Sequence, residues 1–203
     1  MCNRAIMVLK TREKLIEVAR QLFAHKGVEN TTMNDIAAAS DKGRRTIYTY
    51  FKNKREIYNA VIERESENLL ENLREVKCSN LSPAEKLAEG LKRRFEIVMQ
   101  LSQRHDSIRI IFYRDLRRID RIRKLVSEKE KEIFNSIIEE GIKSGEFEIE
   151  QAKRLPSLVK MLLQGNDYFN IKADIEERQQ TAKLITEAVN YIVHGILIEK
   201  QCI

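Results

Sequence analysis

Apolar positions along this chain recur every three or four residues, the spacing of helices that bury one face. Leu15, Ile16, Ala19, Leu22 and Phe23 predict a first helix from about Thr11 to Lys26. Gly27 closes it as a left-handed cap, with Val28 packing back. Thr32 and Asp35 form a carboxylate variant of the capping box, which starts a second helix at Met33. Ile36 and Ala37 face inward from it. Asp41-Lys42-Gly43 interrupts, with Gly43 expected to supply the freedom of a sharp turn. A third short helix comes next, Arg44 to about Phe51, burying Ile47 and Phe51 at i and i+4.

The fourth helix, Lys54 to about Val76, has a long apolar face: Ile57, Val61, Leu69, Leu70, Leu73 and Val76. That face can pack first on the small unit before it and then on the helices after it. Beyond a break at Cys78–Ser82, Ser82-Pro83-Ala84-Glu85 combines a capping hydroxyl, a first-turn proline and a third-position glutamate. Leu87, Leu91, Phe95, Val98 and Met99 continue that helix. Further helices are predicted over Asp106–Leu116, Ile119–Lys143 and about Glu150–Ile171, with Pro156 in the first turn of the last or kinking it. The final helix, capped by Asp174 with Glu177, is expected to reach about Lys200. Its two apolar stripes, Ile185/Ala188/Val189/Ile192/Ile196 and Leu184/Tyr191/Ile198, imply burial on two sides, in a core or against a second subunit. No strand-type alternation or repeat interrupts the pattern. The fold class is all-α, with an N-terminal helical domain over residues 1–54 and a second over 55–203.

Charge changes this picture by its location. Lys and Arg total 37 against 31 Asp and Glu, a net +6. Residues 1–54 hold 11 basic and 5 acidic residues, leaving 26 of each in 55–203, so the whole excess lies in the first quarter. A localised basic excess is the electrostatic footprint of phosphate contacts. Three widely spaced cysteines (Cys2, Cys78, Cys202), without CxxC or Cys/His spacing, fit free thiols in a reducing cytoplasm rather than a metal site. No signal-peptide core and no apolar run of membrane-spanning length is present, so no membrane association is expected and the location is read as cytoplasmic. GxxxxGK, GxGxxG, GxSxG and HExxH are all missing, so neither enzyme chemistry nor a cofactor is expected.

On the third helix, Arg44, Arg45, Thr46, Tyr48, Thr49 and Tyr50 fall outside the inward face. Two guanidiniums, hydroxyls and phenols there suit a helix laid in the major groove of DNA. A solvated helix with Tyr48 half in a core is the plainer alternative. Arg104–Lys124 holds eight basic residues against three aspartates, which reads as paired surface charge more than as a second anion site.

Across Leu15–Ile57 the sequence resembles the DNA-binding domain of TetR-family transcriptional regulators. The matching pieces are A-x-x-L-F (Ala19, Leu22, Phe23), Gly27, Thr31-Thr32, Ile36-Ala37, and T-I-Y-x-Y-F-K-x-K from Thr46 to Lys54. The G-I-x-x-G-E-F segment, Gly141–Phe147, extends it thinly into the rest. Where the family often has G-V-S-K-G, this chain has Asp41-Lys42-Gly43-Arg44-Arg45, so its turn closes differently, with Asp41 a candidate turn residue. The resemblance implies a homodimer reading an inverted-repeat DNA operator, a repressor released when a small-molecule effector enters the C-terminal domain. It places Thr32, Tyr48 and Lys54 at phosphates, with capping as the alternative role of Thr32. Arg44, Arg45, Thr46, Thr49 and Tyr50 are the candidates for base edges, without saying which arginine reads. Phe95, Met99, Phe112, Tyr113, Met161, Gln164 and Tyr168 are candidates for an effector pocket, though ordinary core packing gives the same spacing.

Overall fold

The computed structural model describes residues 2–104, 116–172 and 175–197. Among these the chain forms α1 (Cys2–Lys26), α2 (Met33–Ala39), α3 (Arg44–Tyr50), α4 (Lys54–Lys77), α5 (Pro83–Arg104), α6 (Leu116–Lys143), α7 (Ile149–Ala152), α8 (Leu155–Lys172) and α9 (Ile175–His194). The all-α fold class holds. The expected helix Asp106–Leu116 and the Asp174 cap lie outside the described residues, apart from Leu116 itself, which opens α6.

Two compact units divide the chain: Met1–Glu67 with Arg104–Ile122, and Asn68–Gln103 with Arg123–Ile203. The core of the first is built from Leu15, Ile16, Ala19 and Phe23 of α1, Met33 and Ile36 of α2, Ile47 of α3, then Phe51, Ile57, Tyr58 and Val61. Phe23 and Tyr58 meet edge to face, centroids 5.9 Å apart. The first half of α4 thus packs into the N-terminal core, as its long apolar face predicts, although it lies beyond the boundary expected at residue 54. Its second half, Leu69, Leu70 and Leu73, belongs to the other core.

That second core gathers Leu87, Leu91 and Phe95 of α5, Phe134 and Ile137 of α6, Phe147, and residues of α7, α8 and α9. The G-I-x-x-G-E-F segment closes α6 against it. A Cβ on Gly141 would lie 2.3 Å from the Phe147 ring, so only glycine admits that ring. Gly145 takes φ +74°. Glu146 accepts from Ser82 Oγ at 2.9 Å, tying the segment to the start of α5. Ion pairs also cross this unit, among them Lys86–Glu140 at 2.7 Å and the buried Arg94–Glu130 at 2.9 Å.

Three boundaries depart from expectation. First, α1 begins at Cys2 rather than Thr11. No glycine or proline stands between Cys2 and Lys26 to stop the helix from propagating. Second, the single helix expected over Glu150–Ile171 is two, because the Pro156 ring would strike the carbonyl one turn back and the proline has no N–H to donate to it. Lys153 and Arg154 break the run, and Pro156 sits in the first turn of α8. Third, α9 ends at His194, after which Glu148 N–H donates to the Ile196 carbonyl at 2.8 Å and Phe147 bridges Leu197.

Candidate nucleic-acid interface

The helix pair is fixed by its caps and its turn. Thr31 is buried, its hydroxyl donating to the Gly27 carbonyl at 2.7 Å and so closing the turn after α1, where Gly27 takes φ +80°. The Thr32 hydroxyl accepts from Asp35 N–H at 3.1 Å, while the Asp35 carboxylate accepts from Thr32 N–H at 2.8 Å and from its hydroxyl at 2.9 Å. This is the expected capping box. The Thr32 N–H, and then its hydroxyl, hold the Asp35 carboxyl below its ordinary value of 3.8. The carboxylate's contribution to the cap is therefore fully present above 3.8 and is lost as pH falls through the depressed value.

The turn is closed at Asp41, the candidate turn residue, and not at Gly43. Gly43 lies at φ −62°, ψ 150°, extended backbone open to any residue, and caps α3 without a side-chain bond. The left-handed residue is Asp41, at φ +54°. Backbone bonds from Asp41 N–H to Ala38 O (3.1 Å) and from Lys42 N–H to Ala37 O (3.0 Å) close the turn. Asp41 also faces Lys14 Nζ at 3.8 Å, an exposed pair of little energetic weight.

On α3, Ile47 is fully buried, whereas Arg44, Arg45, Tyr48 and Thr49 are exposed and Thr46 is half-buried. The Arg44 guanidinium sits 5.9 Å from the centre of the Tyr48 ring, a cation–π stack. The Thr49 hydroxyl donates to the Arg45 carbonyl at 3.0 Å, which leaves it only its acceptor lone pairs and a methyl group to present. Tyr50, another base-edge candidate, packs half-buried on the N-terminal core.

Lys54 is more than the free point charge expected of it. Its ammonium donates to the carbonyls of Val28 (2.7 Å) and Glu29 (3.1 Å), tying the start of α4 to the loop after α1. Asn53 caps α4, a role outside the sequence-based expectations. Its side chain accepts from Glu56 N–H at 3.0 Å, and Glu56 reaches back to Lys52 N–H at 2.7 Å. The N-x-x-E spacing from Asn53 to Glu56 is the signal that finds it. From Lys42 to Arg55 the chain holds six basic residues and no acidic one. Lys42, Lys52 and Arg55, which are not among the candidate contact residues, supply half of that charge.

Residues 15–61 match the family described as bacterial regulatory proteins of the tetR family, and residues 105–197 match the C-terminal region of QacR-like proteins. A Bacillus subtilis (strain 168) relative, "Probable HTH-type transcriptional regulator YttP", is 33% identical over 146 residues, 70% of this chain and 69% of its own. The chain belongs to the TetR family of bacterial regulatory proteins.

The Escherichia coli K12 "Probable acrEF/envCD operon repressor" is 32% identical over 108 residues, 52% of this chain and 49% of that protein, so the match spans about half of that relative's length. Among solved structures, a transcriptional regulator from Cytophaga hutchinsonii superposes with TM-score 0.76 at 25% identity, over 92% of this chain and 98% of its own. A TetR/AcrR-family regulator from Thermobifida fusca shares the fold, TM-score 0.70 at 21% identity, over 91% and 97%.

Four of the candidate pocket residues of this TetR-family chain have described side chains, all in the second unit. Phe95 is buried in the core and Met99 is half-buried on the same helix. Met161 is 69% exposed and Gln164 is exposed too. On α8 the inward positions are Leu155, Val159 and Leu163. Met161 lies about 200° around the helix from both Val159 and Leu163, so it faces away from the core. Phe112, Tyr113 and the Tyr168 side chain lie outside the described residues. The two apolar stripes expected on the last helix are realised differently: Val189, and Ile196 just beyond the end of α9, are buried, while Leu184 and Tyr191 are 63% and 78% exposed and Ile198 lies outside the described residues. Leu158 of α8 is exposed as well. Among the described residues, no helix is long and apolar enough to cross a membrane and no cluster of His, Cys, Asp and Glu is arranged to hold a metal.

Proposed function

We propose that the protein is a transcriptional repressor that binds an inverted-repeat operator as a homodimer and leaves it when a small-molecule effector binds. The observation behind this reading is the exposed surface of α3, Arg44, Arg45, Tyr48 and Thr49, set in a stretch from Lys42 to Arg55 that has no acidic residue. Such a surface offers cations to phosphates and hydrogen-bonding edges to bases. Repression is favoured by the E. coli relative described as an operon repressor. Dimerisation is favoured by large apolar side chains left exposed on α8 and α9. An effector site in the C-terminal domain is what the family resemblance implies, with Phe95, Met99, Phe112, Tyr113 and Tyr168 as its candidate lining.

The test is a competition between a duplex selected by the protein from a random library and a shuffled duplex of the same composition. The selected duplex is expected to be an inverted repeat, its half-sites about one helical turn or a multiple apart, bound more tightly than the shuffled one at about 0.15 M salt. Equal affinities at that salt would overturn the reading. For the effector, Phe112→Ala is expected to leave affinity for the selected duplex intact and weaken ligand-induced release. A variant released as readily as the parent would remove Phe112 from the site.

A further inference from the structure

The geometry points to a division of labour on α3: Arg45 and Thr49 read bases, while the stacked Arg44–Tyr48 pair holds the sugar–phosphate backbone. The assignment rests on the proposed regulator function and names the specificity-determining residues of that same surface. Each residue of a helix turns about 100° around its axis. Measured from Ile47, the fully buried side chain of α3, Arg45 and Thr49 both lie about 160° away, on the ridge opposite the core. Arg44 and Tyr48 lie about 60° and 100° to one side, and Tyr50 and Thr46 about 60° and 100° to the other. Exposure keeps to this order: the ridge and the Arg44–Tyr48 flank are open, and Thr46 and Tyr50 are half-buried.

A major groove about 12 Å wide is filled by one helix. The ridge farthest from the protein core then meets the base edges, and the flanks meet the phosphate walls. Arg45 occupies that ridge with five donors and can pair bidentately with the O6 and N7 of guanine. Thr49 is its ridge neighbour. Because its hydroxyl proton is taken by the Arg45 carbonyl, it offers a methyl group to a thymine methyl, or an acceptor to an exocyclic amine. Four residues of helix rise about 6 Å, so the two positions read should be about two base pairs apart. Arg44 is differently placed. Stacked 5.9 Å from the Tyr48 ring centre, its guanidinium is held on the flank beside a phenol. That pair offers a charge and a hydroxyl suited to a phosphate, which carries no sequence information.

The test uses the full-length chain and its Arg44→Ala, Arg45→Ala and Thr49→Ala variants, all at exposed positions. Each is put through selection from a random duplex library, and its affinity is measured for the duplex chosen by the parent and for a shuffled one. Arg45→Ala is expected to lose a guanine preference at one position per half-site and to weaken the chosen duplex, relative to the shuffled one, about 5- to 150-fold for each half-site. Thr49→Ala is expected to relax a position about two base pairs away. Arg44→Ala is expected to weaken both duplexes by the same factor and leave the selected sequence unchanged. If the guanine preference survives Arg45→Ala, or is erased by Arg44→Ala, the assignment is wrong although the regulator reading stands. If the parent chain enriches no sequence at all, the regulator reading fails and the assignment falls with it.

Discussion

Asp41 adopts φ +54° with its side chain 93% exposed, so its conformation and not its contacts decides what can replace it. A side chain in the left-handed region costs about 1 kcal/mol or more, least for Asp, Asn and Gly. Asp41→Gly is therefore expected to leave stability unchanged or raise it slightly, and Asp41→Val to lower it by about 1–2 kcal/mol. Urea denaturation of both checks this; equal stabilities would show that the turn does not hold positive φ in solution. Lys54 supplies the matching case of a residue with two duties. Lys54→Met removes two charged hydrogen bonds to the carbonyls of Val28 and Glu29, and is expected to cost about 1–3 kcal/mol. DNA affinity should fall by a similar factor for the selected and shuffled duplexes, since phosphate contact is blind to sequence. A variant melting at the parent temperature would show that the tether contributes nothing. Residues of this kind mark the limit of sequence reading. The capping box of Thr32 and Asp35 is legible because both partners lie within one turn. The tether of Lys54 spans 26 residues and ends on backbone, which no side-chain pattern encodes.

Elements whose signals are local match their expectations. Ser82-Pro83-Ala84-Glu85 starts α5, with Ser82 N–H donating to Glu85 at 2.8 Å. Gly27 ends α1 in the left-handed conformation, as its position predicts. Departures arise where an apolar period runs past a backbone constraint. Apolar spacing through Glu150–Ile171 suggests one helix, but Pro156 divides it, and the period alone does not say on which side of a proline a helix restarts. The same period places Met161 among pocket candidates, although its phase on α8 points it outward. That outward phase is informative in its own right. Leu158 and Met161 on α8, with Leu184 and Tyr191 on α9, are large apolar side chains left exposed in a single chain. Burying such side chains is worth about 1.5–3 kcal/mol each, enough for several together to hold a dimer. Leu184→Asp combined with Tyr191→Asp is expected to give a helical monomer by light scattering and circular dichroism. A double variant still dimeric at micromolar concentration would place the seam elsewhere.

Over the whole molecule the decisive quantity is where the charge lies. Residues 1–54 carry all of the net +6, and 55–203 are balanced at 26 basic and 26 acidic residues. If DNA affinity depended on net charge alone, removing one lysine anywhere would have the same effect. If it depends on phosphates neutralised at the interface, only lysines around α3 matter, because each phosphate left without its lysine keeps its condensed counterions. Lys52 and Lys131 separate the two cases. Both are exposed, and replacing either by glutamine lowers the charge by one per chain. Lys52 lies in the acid-free stretch between α3 and α4, while Lys131 lies on α6 in the neutral remainder. Lys52→Gln is expected to make the slope of log affinity against log salt shallower by roughly 0.9 for each phosphate it leaves unneutralised, and so by about twice that in a dimer. Lys131→Gln is expected to leave the slope unchanged, since a lysine that neutralises no phosphate releases no counterion on binding. The measurement is a series of affinities for one duplex across salt concentrations for the parent and both variants. Equal slope changes in the two variants would mean that overall charge drives association, and the basic stretch around α3 would lose its claim to be the interface.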